Sequence, residues 1–394
     1  YVYFRKGKYR EAIKFNRKTL DEHPEFSREW ITLGDHLHRV GDYQGSLSAY
    51  RSALKVDPMA DRAWVGLGYV NSKLGRYDEA EKYFRKALKI NPRCDRAYVG
   101  LGYMYYELGK YESALDSYNR ILENNPRSEY AWVNRGHTLV ELGRFKEAED
   151  AYLKVLEVNP ESGYAHLGLG DVYFLTGKYD QARTMYDRSL SINPRSVNTL
   201  NHLANMENLL GNKEKAMKYL EESIEINPND EEACTQMADL LLEQEKYDRA
   251  LKFYDRILAQ EPDYEPAMLG KARLLFKTGN KKSAIELIEY AKNMHEDSAL
   301  PLITMGEFAR AEGDLEKAKA LFKKALEKQD VCKEGLYYLA RLYVSQGKNK
   351  EAIAKLKEAI QHDPEVRTRA STDPEFDAIR KHPDFQELIT GDEK

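Results

Sequence analysis

The chain is 394 residues long, 42% hydrophobic and 32% charged, a balance that fits folded structure and excludes a disordered chain. Its formal net charge of −4 divides into 31 basic against 27 acidic residues over 1–200 and 30 against 38 over 201–394. That gradient is too mild for the strong basic face of a duplex-binding protein, and no apolar run reaches the roughly 18 residues that a spanning helix needs.

From the N-terminus, residues 1–26 read as the second half of a helical pair, carrying Gly7, Tyr9, Ala12, Phe15 and Pro24. The sequence therefore starts inside a repeat, and we expect the natural protein to extend upstream. From there the same marks return every 34 residues. Prolines stand at 24, 58, 92, 126, 160, 194, 228 and 262; Glu296 and Asp330 take the next two steps, and Pro364 follows. Glycines recur from Gly7 through Gly41, Gly75 and Gly109 to Gly347, with Glu245 the one interruption. A small residue keeps the beat from Ala12 through Ser46 and Ala80 to Ala352.

Residues 61–94 show what one period encodes. Trp64, Leu67 and Gly68 share a helical face. Gly75 ends that helix as a left-handed closing residue. Tyr77, Ala80, Phe84, Ala87 and Leu88 form a second amphipathic face, and Pro92 cannot continue it. Gly68 and Ala80 let the two helices approach closely. Units 265–298 and 299–332 lack the closing proline, and Pro301 falls in a first turn, where proline is tolerated. Residues 367–394 leave the period. Asp373-Pro374 opens a helix there, and Phe376, Ile379, Phe385, Leu388 and Ile389 give it an apolar face, as expected of a cap on the last unit.

The unit resembles the tetratricopeptide repeat, whose signature is matched by Trp64, Leu67, Gly68, Gly75, Tyr77, Ala80, Phe84, Ala87 and Pro92; Asn71 departs from it. The resemblance covers ten full units over 27–366, after the partial one at 1–26 and before a helical cap and tail at 367–394. It implies an all-α, right-handed superhelical solenoid of helix–turn–helix repeats. It also implies a non-catalytic scaffold that holds a protein or peptide segment in a concave groove. In that family the groove wall comes from the second, fifth, sixth, ninth, twelfth and thirteenth places of each first helix.

Carried onto this sequence, the wall begins with Arg28, Asp35, His38 and Arg39. It continues with Arg62, Val65 and Tyr69, then Arg96, Val99, Tyr103 and Tyr106. Tyr130, Val133, Asn134 and His137 come next, then Tyr164, Leu167, Asp171 and Phe174, and finally Asn198, Asn201, Asn205 and Asn208. Tyr69, Tyr103, Tyr130 and Tyr164 are rigid amphipathic anchors. The four asparagines fall on one stripe, and each carboxamide can pair with a peptide N–H and C=O together.

Chemistry-bearing motifs are missing. The histidines form no HExxH, and His36 and His38 face different helix sides, so no metal or other cofactor is expected. The GxG runs at Gly66-Gly68, Gly100-Gly102 and Gly168-Gly170 fail the phosphate-loop test, because no strand precedes them. The second glycine of each pair serves helix packing, and the first is expected to open a notch on the inner wall. No Walker motif or GxSxG is present, so we expect no enzyme and no small-molecule substrate. The family's two-carboxylate clamp for chaperone tails is ruled out, since Val99 and Tyr103 stand where the clamp needs lysine and asparagine. Cys94, Cys234 and Cys332 offer no CxxC pair, which fits a reducing, cytoplasmic setting. Self-association through the first repeat is expected. Two other readings stand beside the scaffold. One is the substrate-recognition arm of a larger enzyme such as a protein glycosyltransferase, opposed by the absence of an asparagine ladder at the sixth place. The other is single-stranded RNA binding by Arg28, Arg62 and Arg96 beside aromatics, opposed by the acidic second half.

Overall fold

The computed structural model of the protein describes residues 9–328, 332–363 and 365–390; Gly7, Asp330 and Pro364 of the sequence pattern lie outside them. Among the described residues every regular element is helical. Tyr9–Glu22 comes first, then paired helices follow one another, such as Ser27–Arg39 with Tyr43–Val56, Asp61–Lys73 with Tyr77–Ile90, and Asp95–Glu107 with Tyr111–Asn124. The chain divides into two compact units that meet in sequence between Gly168 and Leu169.

The turn inside each pair is set by backbone conformation. Gly75 has φ of 72°, with open space where a Cβ would stand, a left-handed state that costs glycine no strain. Glu245 takes the same turn at φ 58°, so the tertiary fold imposes the conformation even where the sequence withholds the glycine. The turn between pairs is held by the fourth residue of the next helix. The indole N–H groups of Trp30, Trp64 and Trp132 donate to the carbonyls of Pro24, Pro58 and Pro126 at 2.9, 3.0 and 2.9 Å. A large ring with one polar handle can both cover the turn and satisfy its open carbonyl.

The first unit shows how repeats lock to one another. Phe84 is completely buried. A Cβ added to Gly68, in its own repeat, would sit 2.5 Å from the ring, and one added to Gly100, in the next, would sit 2.4 Å from it. Tyr50 is held in the same way between Gly34 and Gly66, and Tyr152 between Gly136 and Gly168. One aromatic ring thus closes its own hairpin and seats the following one. This corrects the expected notch: Gly66, Gly100 and Gly168 are filled by the ring of the preceding repeat.

In the second unit the pairing runs on to Lys333–Ser345 with Asn349–His362. The C-terminal segment then forms Glu365–Thr372, a 3-10 turn Pro374–Ile379 and Pro383–Thr390. Val366, Ala370, Phe376, Ile379 and Phe385 are buried in one cluster with Tyr337, and Leu388 and Ile389 pack against it. The segment is a cap built on an apolar core.

Candidate functional site

Within the first unit, the helices Ser27–Arg39, Asp61–Lys73 and Asp95–Glu107 line an open cavity of about 760 Å³. Wall places read from the sequence converge there: Arg28, Asp35, His38, Arg39, Arg62, Val65, Tyr69 and Arg96. Arg28, Arg62 and Arg96 occupy the same place in three successive repeats. Asp35 is the acid among them. It accepts from the Tyr50 hydroxyl at 2.6 Å and from Arg62 Nη2 at 3.3 Å. Burial and the neighbouring carboxylate push the Tyr50 phenol far above its usual range, so it remains a donor at any physiological pH. Among the described residues, the exposed guanidinium groups of Arg28 and Arg96 make no ion pair. His38 is held below the ordinary histidine range, mainly by burial, with Lys73 and Arg39 adding to the effect against Asp35; its Nε2 is buried without a hydrogen-bond partner. Uncharged at neutral pH, His38 leaves the arginines as the dominant field.

Wall places of the same unit also carry exposed tyrosines. Tyr103, Tyr130 and Tyr164 are exposed by 41, 46 and 69%, large values for rings that could have packed away. The Lys73 ammonium stands 5.9 Å from the Tyr103 ring centroid. Tyr69 and Tyr106 are more constrained. Tyr69 donates to the Arg96 carbonyl at 2.9 Å, tying one repeat to the next, and Tyr106 donates to Glu141 at 3.2 Å. Burial raises the Tyr130 phenol, and the nearby Tyr103 raises it further. Asn134 donates to the Tyr130 carbonyl one turn back at 2.8 Å, and His137 packs on the buried Tyr152 with ring centroids 5.7 Å apart. Among the wall tyrosines read from the sequence, the exposed ones in this unit are Tyr103, Tyr130 and Tyr164.

The second unit treats its sequence-derived wall residues differently. Asp171 accepts from the Tyr186 hydroxyl at 2.8 Å and lies 2.5 Å from His202 Nδ1. It is an internal post for the repeat. The asparagine stripe is split. Asn198, Asn205 and Asn208 are exposed, but Asn201 is fully buried. Its amide donates to Asp230 at 2.8 Å, and its carbonyl oxygen accepts from Ser223 at 2.7 Å. Asn201 is therefore a staple between helices, which corrects its reading as a ligand contact. Helical spacing had placed it on the stripe but could not show that the neighbouring repeat covers that end.

Sequence reasoning stopped short of the later wall places, where the same rule points to Arg310, Tyr337, Tyr338 and Arg341. The structure shows them in use by the chain itself. Arg310 grips Glu375 through two bonds of 3.0 Å, and Arg341 Nη2 donates to Glu375 at 2.9 Å. Tyr337 donates to Asp373 at 2.5 Å. Arg369 returns the favour, donating to Glu334 at 2.8 Å with its guanidinium 4.1 Å from the Tyr337 ring centroid. Farther along, Thr368 meets the Tyr179 hydroxyl. The ninth places Asp239, Arg273, Glu307 and Arg341 alternate in sign, and Arg273 pairs with Glu307 at 3.2 Å. Among the described residues no cluster could hold a metal ion and no helix is long and apolar enough to cross a membrane.

Comparison with known proteins matches tetratricopeptide repeat profiles over residues 31–92, 72–129 and 133–197, and again over 241–300 and 309–372. A profile for anaphase-promoting complex, cyclosome, subunit 3 matches residues 175–257. No curated protein matches the chain. Among solved structures, a tetratricopeptide repeat protein from Parabacteroides merdae is 23% identical with a TM-score of 0.54, over 62% of this chain and 98% of that one. The human IFIT1 dimer with m7Gppp-AAAA is 17% identical with a TM-score of 0.54, over 89% of this chain and 94% of that one. At these identities the two structures share the fold alone.

Proposed function

The chain belongs to the tetratricopeptide repeat family, and from that premise we propose that it is a non-catalytic interaction scaffold whose first-unit groove holds a segment of a partner protein. One contrast carries this reading. The wall of the first unit presents Arg28 and Arg96, exposed and in no ion pair among the described residues, and exposed tyrosines, whereas the last wall places of the second unit are already occupied by the chain's own C-terminal segment. Tyrosine and arginine are the residue types that most often carry interface energy. Burying Tyr103, Tyr130 and Tyr164 against a partner removes apolar area at little entropy cost, because each ring has few rotamers to lose. Self-association through the first repeat belongs to the same reading and is supported by Phe15, 63% exposed on Tyr9–Glu22.

The test is partner recovery, with the bound proteins identified, by the native chain and by a Tyr103→Ala, Tyr130→Ala, Tyr164→Ala variant. The proposal expects the same proteins to be lost from the variant while its helicity is unchanged. Equal recovery would remove the groove from the function.

A further inference from the structure

We infer that the first-unit groove selects an acidic segment in the polyproline II conformation, with carboxylates at every third residue. This rests on the reading that the groove is the binding surface, and it specifies the chemistry of what enters.

The ladder sets the register. Arg28, Arg62 and Arg96 come from equivalent places on three first helices that pack in succession. Packed helices lie about 8–10 Å apart, so the backbone positions that carry the three arginines recur at about that interval. A polyproline II chain advances about 3.1 Å per residue with three residues per turn, which puts every third side chain on one face about 9 Å from the last. An extended β-strand turns its third side chain to the opposite face. An acidic residue at positions i, i+3 and i+6 of a polyproline II segment therefore meets all three rungs.

The charges favour the same ligand. Arg28 and Arg96 stand exposed without an ion pair among the described residues. Among the described residues, the one ion pair of Arg62 is the 3.3 Å contact of its Nη2 to the half-exposed Asp35, a single bond of a five-donor fork. A guanidinium pairs with a carboxylate through two parallel bonds. Tyr69, which lines the same cavity as Arg62 and Arg96, gives a flat surface to an intervening proline. The chain also supplies an internal precedent. In the second unit, Arg310 and Arg341, at the twelfth and ninth wall places, hold Glu375 of the 3-10 turn Pro374–Ile379, and Tyr337 holds Asp373 before it, so a wall of this kind already takes the carboxylates of a protein segment. That precedent is peptide, and it favours peptide over nucleic acid for the first unit.

The experiment is fluorescence anisotropy of the full chain with a labelled peptide of three Glu-Pro-Pro triplets. It is run against a peptide of the same composition with its glutamates adjacent, and against a single-stranded oligoadenylate. We expect the triplet peptide to bind at least tenfold tighter than the clustered one. Arg28→Gln and Arg96→Gln, both exposed, should each weaken it by about tenfold, the loss of one charge-assisted pair, with unchanged circular dichroism. Equal affinity for the two peptides, indifference to both substitutions, or tighter binding of the oligoadenylate would overturn the inference. If partner proteins remain sensitive to the tyrosine variant while the triplet peptide fails to bind, the acidic register is wrong and the groove reading survives. If both fail, the groove reading goes too.

Discussion

Replacing Gly100 by alanine inserts one methyl group where the structure has no room for it. The new Cβ would lie 2.4 Å from Cε1 and Cζ of Phe84, against the 3.5–4.0 Å at which carbon atoms rest. The ring would have to withdraw by about 1 Å. It cannot, because the backbone at Gly68 meets its other side and the ring is fully buried. Overpacking of this kind costs about 1–3 kcal/mol. Alanine regains about 1 kcal/mol of helix propensity over glycine, so the net loss should be up to about 2 kcal/mol. Urea denaturation followed by circular dichroism reads it as a lowered midpoint at unchanged slope. A second substitution identifies the cause. Phe84→Leu in the Gly100→Ala background should cost less than in the native chain, giving a coupling energy between the two sites. If Gly100→Ala is as stable as the native chain and Phe84→Leu costs the same in both backgrounds, the ring does not join the repeats as argued.

Four further outcomes follow from the same structure. Glu245→Gly should stabilise the protein by about 0.5–1 kcal/mol, since relief of the left-handed backbone at φ 58° outweighs the entropy of a glycine; thermal denaturation measures it. Asn201→Ala should cost about 1–3 kcal/mol by stranding Asp230 and Ser223, whereas Asn205→Ala on the exposed side should stay within about 0.5 kcal/mol; paired urea titrations compare them. Glu365 is pushed up to about 7 by burial and then by Asp363, against the pull of Lys333. The folded chain therefore keeps a proton that the unfolded chain releases above about 4.5, and this group's contribution falls as pH rises from about 4.5 to about 7. Glu365→Gln should be favoured over the native chain more at pH 7.5 than at pH 5, and an equal difference at both would contradict the assignment. Burial alone would raise Glu207, but bonds from Arg183 and Asn212 outweigh it and hold the carboxyl below its usual range. Its support is present above about 4.5 and lost as pH falls, so Glu207→Gln should destabilise at pH 7 more than at pH 3.5.

The repeat architecture was legible in the sequence because a fixed 34-residue period forces each pair of helices to meet the same neighbour. Tyr77, Ala80 and Phe84 needed no long-range information to be placed. What stayed hidden depended on contacts between distant residues. Spacing alone put Asn198, Asn201, Asn205 and Asn208 on one stripe, but only the position of Asp230 shows that Asn201 is covered. The Gly66 position looked like a notch from within its own helix, and the ring of Tyr50 that fills it comes from the preceding repeat. The occupation of Arg310 and Arg341 by Glu375 required knowing where a segment outside the period would settle. Phe376, Ile379 and Phe385 were readable as a buried face, but the partners of the charged side chains among them were not.

The most direct measurement is site-specific photo-crosslinking. A benzoylphenylalanine is placed at Tyr130 in one chain and, in another, at Lys86 of the second helix Tyr77–Ile90, whose ammonium stands 4.5 Å from the Trp64 ring centroid and outside the lining of the first-unit cavity; each is exposed to the partner proteins recovered by the native chain, and the crosslinked peptides are sequenced. The account predicts crosslinks from position 130 to a defined partner segment rich in carboxylates, and none from position 86. Crosslinks that form from position 86 and not from position 130 would place the partner elsewhere and contradict it.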